Sequence, residues 1–172
     1  MSYESLPAQQ HRAAAPRSVA CAVLTVSDTR TAAEDRSGDT IAGLLQEAGH
    51  RVAAREIVPD EPAEVAAAAR RFAAAPDIEA VLITGGTGIA ARDQTPEAIE
   101  GLLTKRLPGF GELLRMLSFQ EIGAAAMLSR AVGGVMDGRV VLLMPGSTAA
   151  VRLAMEQLIL PELGHLVEQA RR

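Results

Sequence analysis

The sequence predicts a three-layer α/β/α sandwich whose central sheet is mostly parallel and includes one antiparallel hairpin. Short apolar runs alternate with segments of helical periodicity, which is typical of strand–helix–strand units. Residues 19–26 form a continuous apolar run, as expected of a strand buried on both faces of a parallel sheet. Asp137-Gly138 separates two further apolar runs and indicates a tight hairpin turn, because both residues tolerate a positive φ.

We expect residues 1–17 to form a flexible polar tail and residues 18–172 to form one α/β domain. Ser37 is the expected N-cap of the first helix, and Gly49 its C-terminal stop. Pro62 is expected to open the second helix, since proline suits the first helical turn. The predicted strands are residues 19–26, 51–58, 81–83, 132–136 and 139–144; the predicted helices are residues 38–48, 62–75, 95–104, 110–119 and a last helix after residue 147.

Composition argues against several classes of protein. The net charge is −4 and aromatic residues make up 2% of the chain, so neither a basic face nor a stacking platform for nucleic acid is expected. No apolar stretch reaches the roughly 20 residues of a membrane helix, and no secretory signal is visible. We therefore expect a cytoplasmic protein that binds neither nucleic acid nor membrane. Cys21 is the single cysteine and is interpreted as a small buried apolar side chain.

Polar loops follow four of the predicted strands. Ser27-Asp28 comes after the first, Asp60 after the second, Gly85–Gly88 after the third, and Pro145–Ser147 after the last. In open α/β sheets, ligands bind beyond the carboxyl ends of the strands. The four loops therefore outline a binding site at one edge of the sheet.

The stretch TGGTGIAARDQTPEA, residues 84–98, is the most informative of these loops. Glycines at a strand end let backbone N–H groups approach an anion, although a simple tight turn explains them equally well. An aspartate beside a phosphate cradle, here Asp93, makes electrostatic sense if Mg²⁺ lies between them. Asp60 is a candidate for the second carboxylate, and a turn or helix-cap role is the competing interpretation.

Seven motifs in order resemble the MoaB/MogA family of molybdenum-cofactor biosynthesis proteins, whose eukaryotic relatives are domains of gephyrin. The resemblance covers about residues 19–165, and the run RMLSFQEIG followed by SRAVGGV is more similar to MoaB than to MogA. They are TVSD (25–28), Ser37-Gly38, VPD (58–60), GGTG-x3-RD-x-TPEA (85–98), PGFGE (108–112), LSRA (128–131) and MPGS (144–147).

The resemblance implies a molybdopterin-binding fold that assembles as a homotrimer or homohexamer. It also implies adenylylation of molybdopterin by Mg-ATP, giving adenylyl-molybdopterin and pyrophosphate, with the product passed to a metal-insertion enzyme. Asp60 and Asp93 match the two aspartates that matter in that reaction, as catalytic residues and Mg²⁺ ligands. The remaining positions that the resemblance assigns to substrate or nucleotide binding are Thr25, Ser27, Asp28, Ser37, Gly38, Gly85, Gly86, Thr87, Gly88, Arg92, Thr95, Ser129, Arg130, Pro145, Gly146 and Ser147.

Three other interpretations compete with a molybdopterin adenylyltransferase. A non-catalytic molybdopterin-binding protein of the same fold would not need Asp60 or Asp93, and the sequence keeps both. The related domain of competence-damage and pyrophosphatase proteins carries a GGLGPT-x-DD type of loop, whereas this loop is GGTGIAARDQT. A purely structural assembly module would not need four polar loops at one edge of the sheet.

Overall fold

The computed structural model describes residues 15–172 and confirms the α/β fold. Six strands form one sheet in the order β2-β1-β3-β6-β5-β4. The first four of these run parallel, β5 runs antiparallel to β6, and β4 pairs antiparallel with β5. The strands are β1 (Ala20–Val26), β2 (Arg51–Val58), β3 (Ala80–Thr84), β4 (Lys105–Arg106), β5 (Val132–Met136) and β6 (Arg139–Met144).

Helices cover both faces of the sheet. The helices are α1 (Arg36–Glu47), α2 (Pro62–Ala74), α3 (Thr95–Glu100), α4 (Pro108–Ile122), α5 (Thr148–Ala154) and α6 (Leu160–Ala170). A 3₁₀ turn (Gly123–Leu128) follows α4, and a π turn (Met155–Ile159) joins α5 to α6. Pro161 has no N–H to donate, which accounts for the change of hydrogen-bond spacing just before it.

Two apolar cores separate the three layers. Side chains of β1 alternate between them, with Cys21 and Val23 on one face and Ala22 and Leu24 on the other. The first core also receives α1, α4, α5 and α6, and the second receives α2 and α3. The expectation for Cys21 is confirmed, because it is fully buried and burial raises the pKa of its thiol to about 12.

The predicted hairpin is also confirmed. Asp137 has a φ of 51° and Gly138 a φ of 75°, and the turn joins β5 to β6. No helix among residues 15–172 is long and apolar enough to cross a membrane.

The start of the first helix differs from the prediction. The N-cap is Asp35 and not Ser37, because the Asp35 carboxylate accepts a hydrogen bond from Gly38 N over 2.9 Å. Ser37 lies inside the helix, and its hydroxyl donates instead to the carbonyl of Gly146. Both residues are good caps by type, and tertiary contacts decide between them.

Two other helices also have different bounds. The helix predicted over residues 95–104 ends at Glu100, and the chain then forms the short strand β4. Two exposed residues, Lys105 and Arg106, carry no apolar pattern, so β4 had no signal in the sequence. The helix predicted over residues 110–119 is longer, since it begins at Pro108 and continues to Ile122.

Both ends of the described chain meet at the amino-terminal edge of the parallel strands. Glu79 accepts a hydrogen bond from Ala20 N over 2.7 Å and pairs with Arg171. The carbonyl of Pro16 packs against α6 at Gly164. A Cβ at Gly164 would lie 2.5 Å from that carbonyl oxygen, so only glycine fits at this position. Of the tail predicted at residues 1–17, positions 1–14 lie outside the described residues.

Candidate functional site

The loops after β1, β2, β3 and β6 are adjacent at the carboxyl edge of the sheet, and we call the space between them the candidate cleft. Ser27 N donates to the carbonyl of Val58 over 2.9 Å, which joins the first two loops. Gly85 N donates to the carbonyl of Met144 over 3.2 Å, which joins the last two. This adjacency follows from parallel strands ending at one edge.

The glycine turn that follows β3 is close-packed. Gly85 and Gly86 have φ values of 109° and 62°, which L side chains rarely adopt. A Cβ at Gly86 would also collide with the Thr95 hydroxyl and lie 2.9 Å from Asp60 Oδ1. At Gly88 an added Cβ would lie 2.5 Å from Asp93 Oδ2. The turn therefore brings backbone and both aspartates into one small region.

Asp60 and Asp93 form the electrostatic centre of the cleft. Partial burial raises the pKa of Asp60, and the neighbouring charges of Asp93 and Asp28 raise it further, while the hydrogen bond from Thr95 acts in the opposite direction. Asp60 Oδ1 accepts that bond over 3.1 Å, and Asp93 Oδ2 accepts one from Ala90 N over 2.9 Å. The second oxygen of each carboxylate accepts no hydrogen bond from residues 15–172.

Arg92 connects the loop after β3 to the two loops beside it. Its guanidinium donates to both oxygens of Asp28, over 2.8 and 3.1 Å, and to Glu61 over 2.9 Å. This pairing lowers the pKa of the Asp28 carboxyl and raises that of Arg92. Asp28 Oδ1 also accepts a hydrogen bond from Asp60 N over 3.1 Å. Arg92 thus holds the backbone of Asp60 through Asp28.

Arg130 fastens the same loop from the opposite side. Its Nε donates to the carbonyl of Gly88 over 2.8 Å, and its other two nitrogens bond the carbonyl of Asp93 and the carboxylate of Glu97. The guanidinium is therefore occupied by the loop that carries Asp93. We infer that it supports the loop, and a direct contact with a ligand stays a prediction.

Two cavities flank the loop cluster. One, of about 690 Å³, lies at the β1–β2 side and is lined by residues that include Ser27, Asp28 and Arg30. The other, of about 470 Å³, lies beyond Arg130 and is lined by residues that include Ser129. Ser129 lines this second cavity, and its hydroxyl oxygen, which is itself buried, has no hydrogen-bond partner among the described residues.

Several predicted site residues have local structural roles. The Ser147 hydroxyl accepts from Ala150 N over 3.2 Å and caps α5. The Ser27 hydroxyl accepts from Arg30 N over 3.2 Å in its own turn. Pro145 contributes its carbonyl to the Thr84 hydroxyl over 2.9 Å. Thr87, in the glycine turn, is buried.

Sequence reasoning missed a buried group beside the cleft. Asp35 is 2% exposed and accepts hydrogen bonds from the Thr25 hydroxyl over 2.8 Å and from Gly38 N. Arg55 and Arg30 lie 3.4 and 4.0 Å from its carboxylate. Arg30 and Arg55 lie 5 and 20 residues from Asp35 in the chain, so the association of the three is a product of the fold.

The residues of the cleft fit a magnesium ion bound with phosphate. Burial is the largest cause of the raised pKa of Asp60, and repulsion from Asp93 and Asp28 adds to it; a cation between the carboxylates would relieve that repulsion. No group of three or more His, Cys, Asp or Glu side chains with metal-site geometry occurs among residues 15–172. Mg²⁺ commonly binds through one or two carboxylates and completes its coordination with water and phosphate oxygens. Asp60 and Asp93 are the two carboxylates that the cleft would offer to such an ion.

The fold and this cleft define an α/β domain with paired carboxylates and a glycine turn at the carboxyl edge of its sheet. Residues 22–165 match the model of a family described as a probable molybdopterin binding domain. The chain belongs to this family of molybdopterin-binding domains, in agreement with the motifs in its sequence.

Relatives within the family are similar over almost the full chain. The molybdenum cofactor biosynthesis protein B of Halalkalibacterium halodurans is 52% identical over 162 residues, which are 94% of this chain and 95% of that protein. A crystal structure of a molybdenum cofactor biosynthesis protein B superposes with a TM-score of 0.89 at 51% identity, over 92% of this chain and 99% of that one. The tungsten cofactor synthesizing protein MoaB of Pyrococcus furiosus gives 0.82 at 38% identity, over 92% and 100%.

Proposed function

We propose that this protein acts in molybdenum cofactor biosynthesis by binding molybdopterin and adenylylating it with Mg-ATP. The family match and the names of its relatives support the pathway and the pterin ligand. The observation that carries the enzymatic proposal is the pair Asp60 and Asp93, held at one glycine turn with an electrostatic interaction between them. A protein that only stores an anionic pterin gains nothing from two carboxylates in its cleft.

The proposed reaction joins a phosphate oxygen of molybdopterin to the α-phosphorus of ATP, and pyrophosphate leaves. Such phosphoryl-type transfers need little covalent help, so the protein contributes position and charge stabilisation. Backbone N–H groups of the glycine turn beyond Gly85, whose own N–H donates to Met144, and that of Gly146 would hold phosphate or pterin groups. Ser129, whose buried hydroxyl has no hydrogen-bond partner among the described residues, lines a cavity large enough for a pterin.

Asp60 and Asp93 would hold Mg²⁺, which supplies neutralisation of the triphosphate charge when it is bound. Thr95 and Asp28 keep Asp60 in place, the first through its side chain and the second through its backbone N–H. Arg130 does the same for Asp93 by binding its carbonyl. Each aspartate is thus fixed by neighbours before any ligand arrives, as preorganised catalysis requires.

We also propose that the protein assembles as a homotrimer or homohexamer. An apolar surface on α4 and the 3₁₀ turn is exposed in a single copy of the chain, with Phe119 62% and Met127 71% accessible. Contiguous apolar surfaces of this kind usually mark interfaces. The surface consists of Leu113, Met116, Phe119, Ile122, Met127 and Leu128.

The experiment that tests the function is turnover of purified molybdopterin with Mg-ATP, following both adenylyl-molybdopterin and pyrophosphate. The wild-type protein should form both in equal amounts. Asp93→Asn keeps the size of the side chain and removes its charge, so it should retain molybdopterin and lose turnover by on the order of a hundredfold or more. Wild-type protein that binds molybdopterin and forms no product would instead identify a non-catalytic carrier.

A further inference from the structure

Arg30 joins two loops of the candidate cleft. Its Nη2 donates to the carbonyl of Gly146 over 3.1 Å, and its Nη1 donates to the Ser37 hydroxyl over 3.2 Å. Ser37 in turn donates to the same Gly146 carbonyl over 2.8 Å. One carbonyl of the loop after β6 is therefore held twice, by residues that follow β1 in the chain.

A buried carboxylate lies behind Arg30. Asp35 is 2% exposed, and its Oδ1 is 4.0 Å from Nη1 of Arg30. Thr25 and Gly38 N bind the same carboxylate over 2.8 and 2.9 Å, so Asp35 itself has little freedom. A buried charge requires such partners, and the Arg30 guanidinium lies near enough to help balance it.

The backbone of Gly146 also packs against the glycine turn that follows β3. A Cβ at Gly146 would lie 3.2 Å from Gly85 Cα, which means that the two backbones are in contact. The position of Gly146 therefore sets how the loop after β6 lies against the turn that brings Asp60 and Asp93 together.

We propose that Arg30 is a positioning residue that holds the loop containing Gly146 against the Gly85 turn and so shapes the cleft for the pterin substrate. This proposal rests on the proposed function for the identity of the ligand. Arg30 acts through the loop, since its guanidinium donates to acceptors within the protein. Arginine suits this role because its planar fork reaches two acceptors at once, which a lysine ammonium does less well.

Arg55 provides a matched control. It lies 3.4 Å from the same Asp35 carboxylate but its other ion pair is with Asp39, over 2.8 Å, on α1. The side chains of Arg30 and Arg55 are similarly exposed, at 33% and 36%. Replacing either arginine with methionine removes one positive charge near the Asp35 carboxylate, but only Arg30→Met also removes a hydrogen bond to the Gly146 carbonyl.

The test compares Arg30→Met, Arg30→Lys and Arg55→Met in the full-length protein by two measurements. Hydrogen–deuterium exchange of the peptides around residues 85–88 and 144–150 reports the loops without any ligand. Titration with molybdopterin measures the Kd of the pterin and so reports whether the cleft keeps its shape. Arg30→Met should speed exchange in both peptides and raise the molybdopterin Kd by about tenfold, the scale for losing a charge-assisted hydrogen bond. Arg30→Lys should have a smaller effect, and Arg55→Met should match the wild-type protein in both measurements.

Unchanged exchange in Arg30→Met would overturn the proposal, as would equal effects from Arg55→Met, since Asp35 alone would then explain them. Faster exchange with an unchanged Kd would overturn the role of the loop in shaping the cleft. If Arg30→Met does not fold, Arg30→Lys carries the same comparison. Wild-type protein that binds no molybdopterin would refute the proposed function, and the exchange data would still decide whether Arg30 holds the loop.

Discussion

Thr95 Oγ1 donates a hydrogen bond to Asp60 Oδ1 over 3.1 Å and so joins the start of α3 to the loop after β2. Thr95 is 1% exposed, which leaves its hydroxyl little choice of partner. The bond lowers the pKa of Asp60, against burial and neighbouring carboxylates that raise it. Thr95, which was predicted to bind a ligand, thus contributes to setting the pKa of Asp60.

Replacing Thr95 with valine should move the acid limb of activity to higher pH. Without the hydroxyl, the pKa of Asp60 rises further, and the proposed reaction needs Asp60 ionised. The pH dependence of kcat checks this, with Thr95→Ser as the control that keeps the hydroxyl and the wild-type limb. Identical profiles for the valine variant and the wild-type protein would contradict the prediction.

Asp60→Asn should be more stable than the wild-type protein at neutral pH. The pKa of Asp60 is raised in the folded state, so the folded protein binds its proton more tightly than the unfolded chain does. Such a group destabilises the fold once the pH exceeds the ordinary carboxyl pKa of about 3.9, and most of all above the raised value. Asparagine removes that cost together with the charge.

Thermal unfolding from acidic to neutral pH measures this effect. The difference in Tm between Asp60→Asn and the wild-type protein should be present at pH 7 and shrink as the pH falls. Asp77→Asn is the control, because Asp77 lies in an exposed turn. A lower Tm for Asp60→Asn at neutral pH would show that the carboxylate stabilises the fold.

Gly88→Ala should lower kcat strongly and change the stability of the fold little. The added Cβ would lie 2.5 Å from Asp93 Oδ2, so the carboxylate must shift. A displacement of about 1 Å at a reacting centre can cost up to about a hundredfold in rate. Gly43→Ala in α1 is the control, because no heavy atom lies within 4 Å of its added Cβ. That variant should gain about 0.5–1 kcal/mol in stability and keep its activity. Equal kcat values for the two variants would mean that Gly88 serves only the turn.

A negative charge within the apolar surface of α4 should break the assembly. Phe119→Glu places a carboxylate on a side chain that is 62% exposed in a single copy and that we expect to be buried between copies. Light scattering at micromolar concentration should give a trimer or hexamer for the wild-type protein and a smaller species for this variant. Gln120→Glu adds the same charge at the next position and should leave the mass of the assembly unchanged. A monomeric wild-type protein would refute the proposal outright.

The sequence predicted the features that depend on local patterns. The strand at residues 19–26 and the turn at Asp137-Gly138 follow from apolar continuity and from the tolerance of Asp and Gly for positive φ. The short strand β4 forms because Lys105 and Arg106 pair with Val135 and Gly134 of β5, and a Cβ at Gly134 would lie 2.4 Å from the carbonyl of Lys105, so this contact is tertiary.

The candidate site divides in the same way. Its loops were predictable, because parallel strands bring their carboxyl ends to one edge. The partners within it were not. The role of Arg130 in ligand binding stays a prediction, and its hydrogen bonds to the carbonyls of Gly88 and Asp93 had no signal in the sequence. Nothing in the sequence distinguished Asp35 from the other polar residues of its loop. Its partner Arg55 is brought to it by the way α1 lies against β2.

The pairing of Glu79 with both Ala20 N and Arg171 bears on how this domain can be linked to others. The chain enters its first strand and leaves its last helix side by side, on the side of the sheet away from the loops after β1, β2, β3 and β6. A segment attached directly at residue 15 or at residue 172 would therefore leave the domain on the side away from those loops. With residues 1–14 removed, the same closeness would allow a short peptide to join the two ends of the described chain, with new ends opened at an exposed loop tip elsewhere.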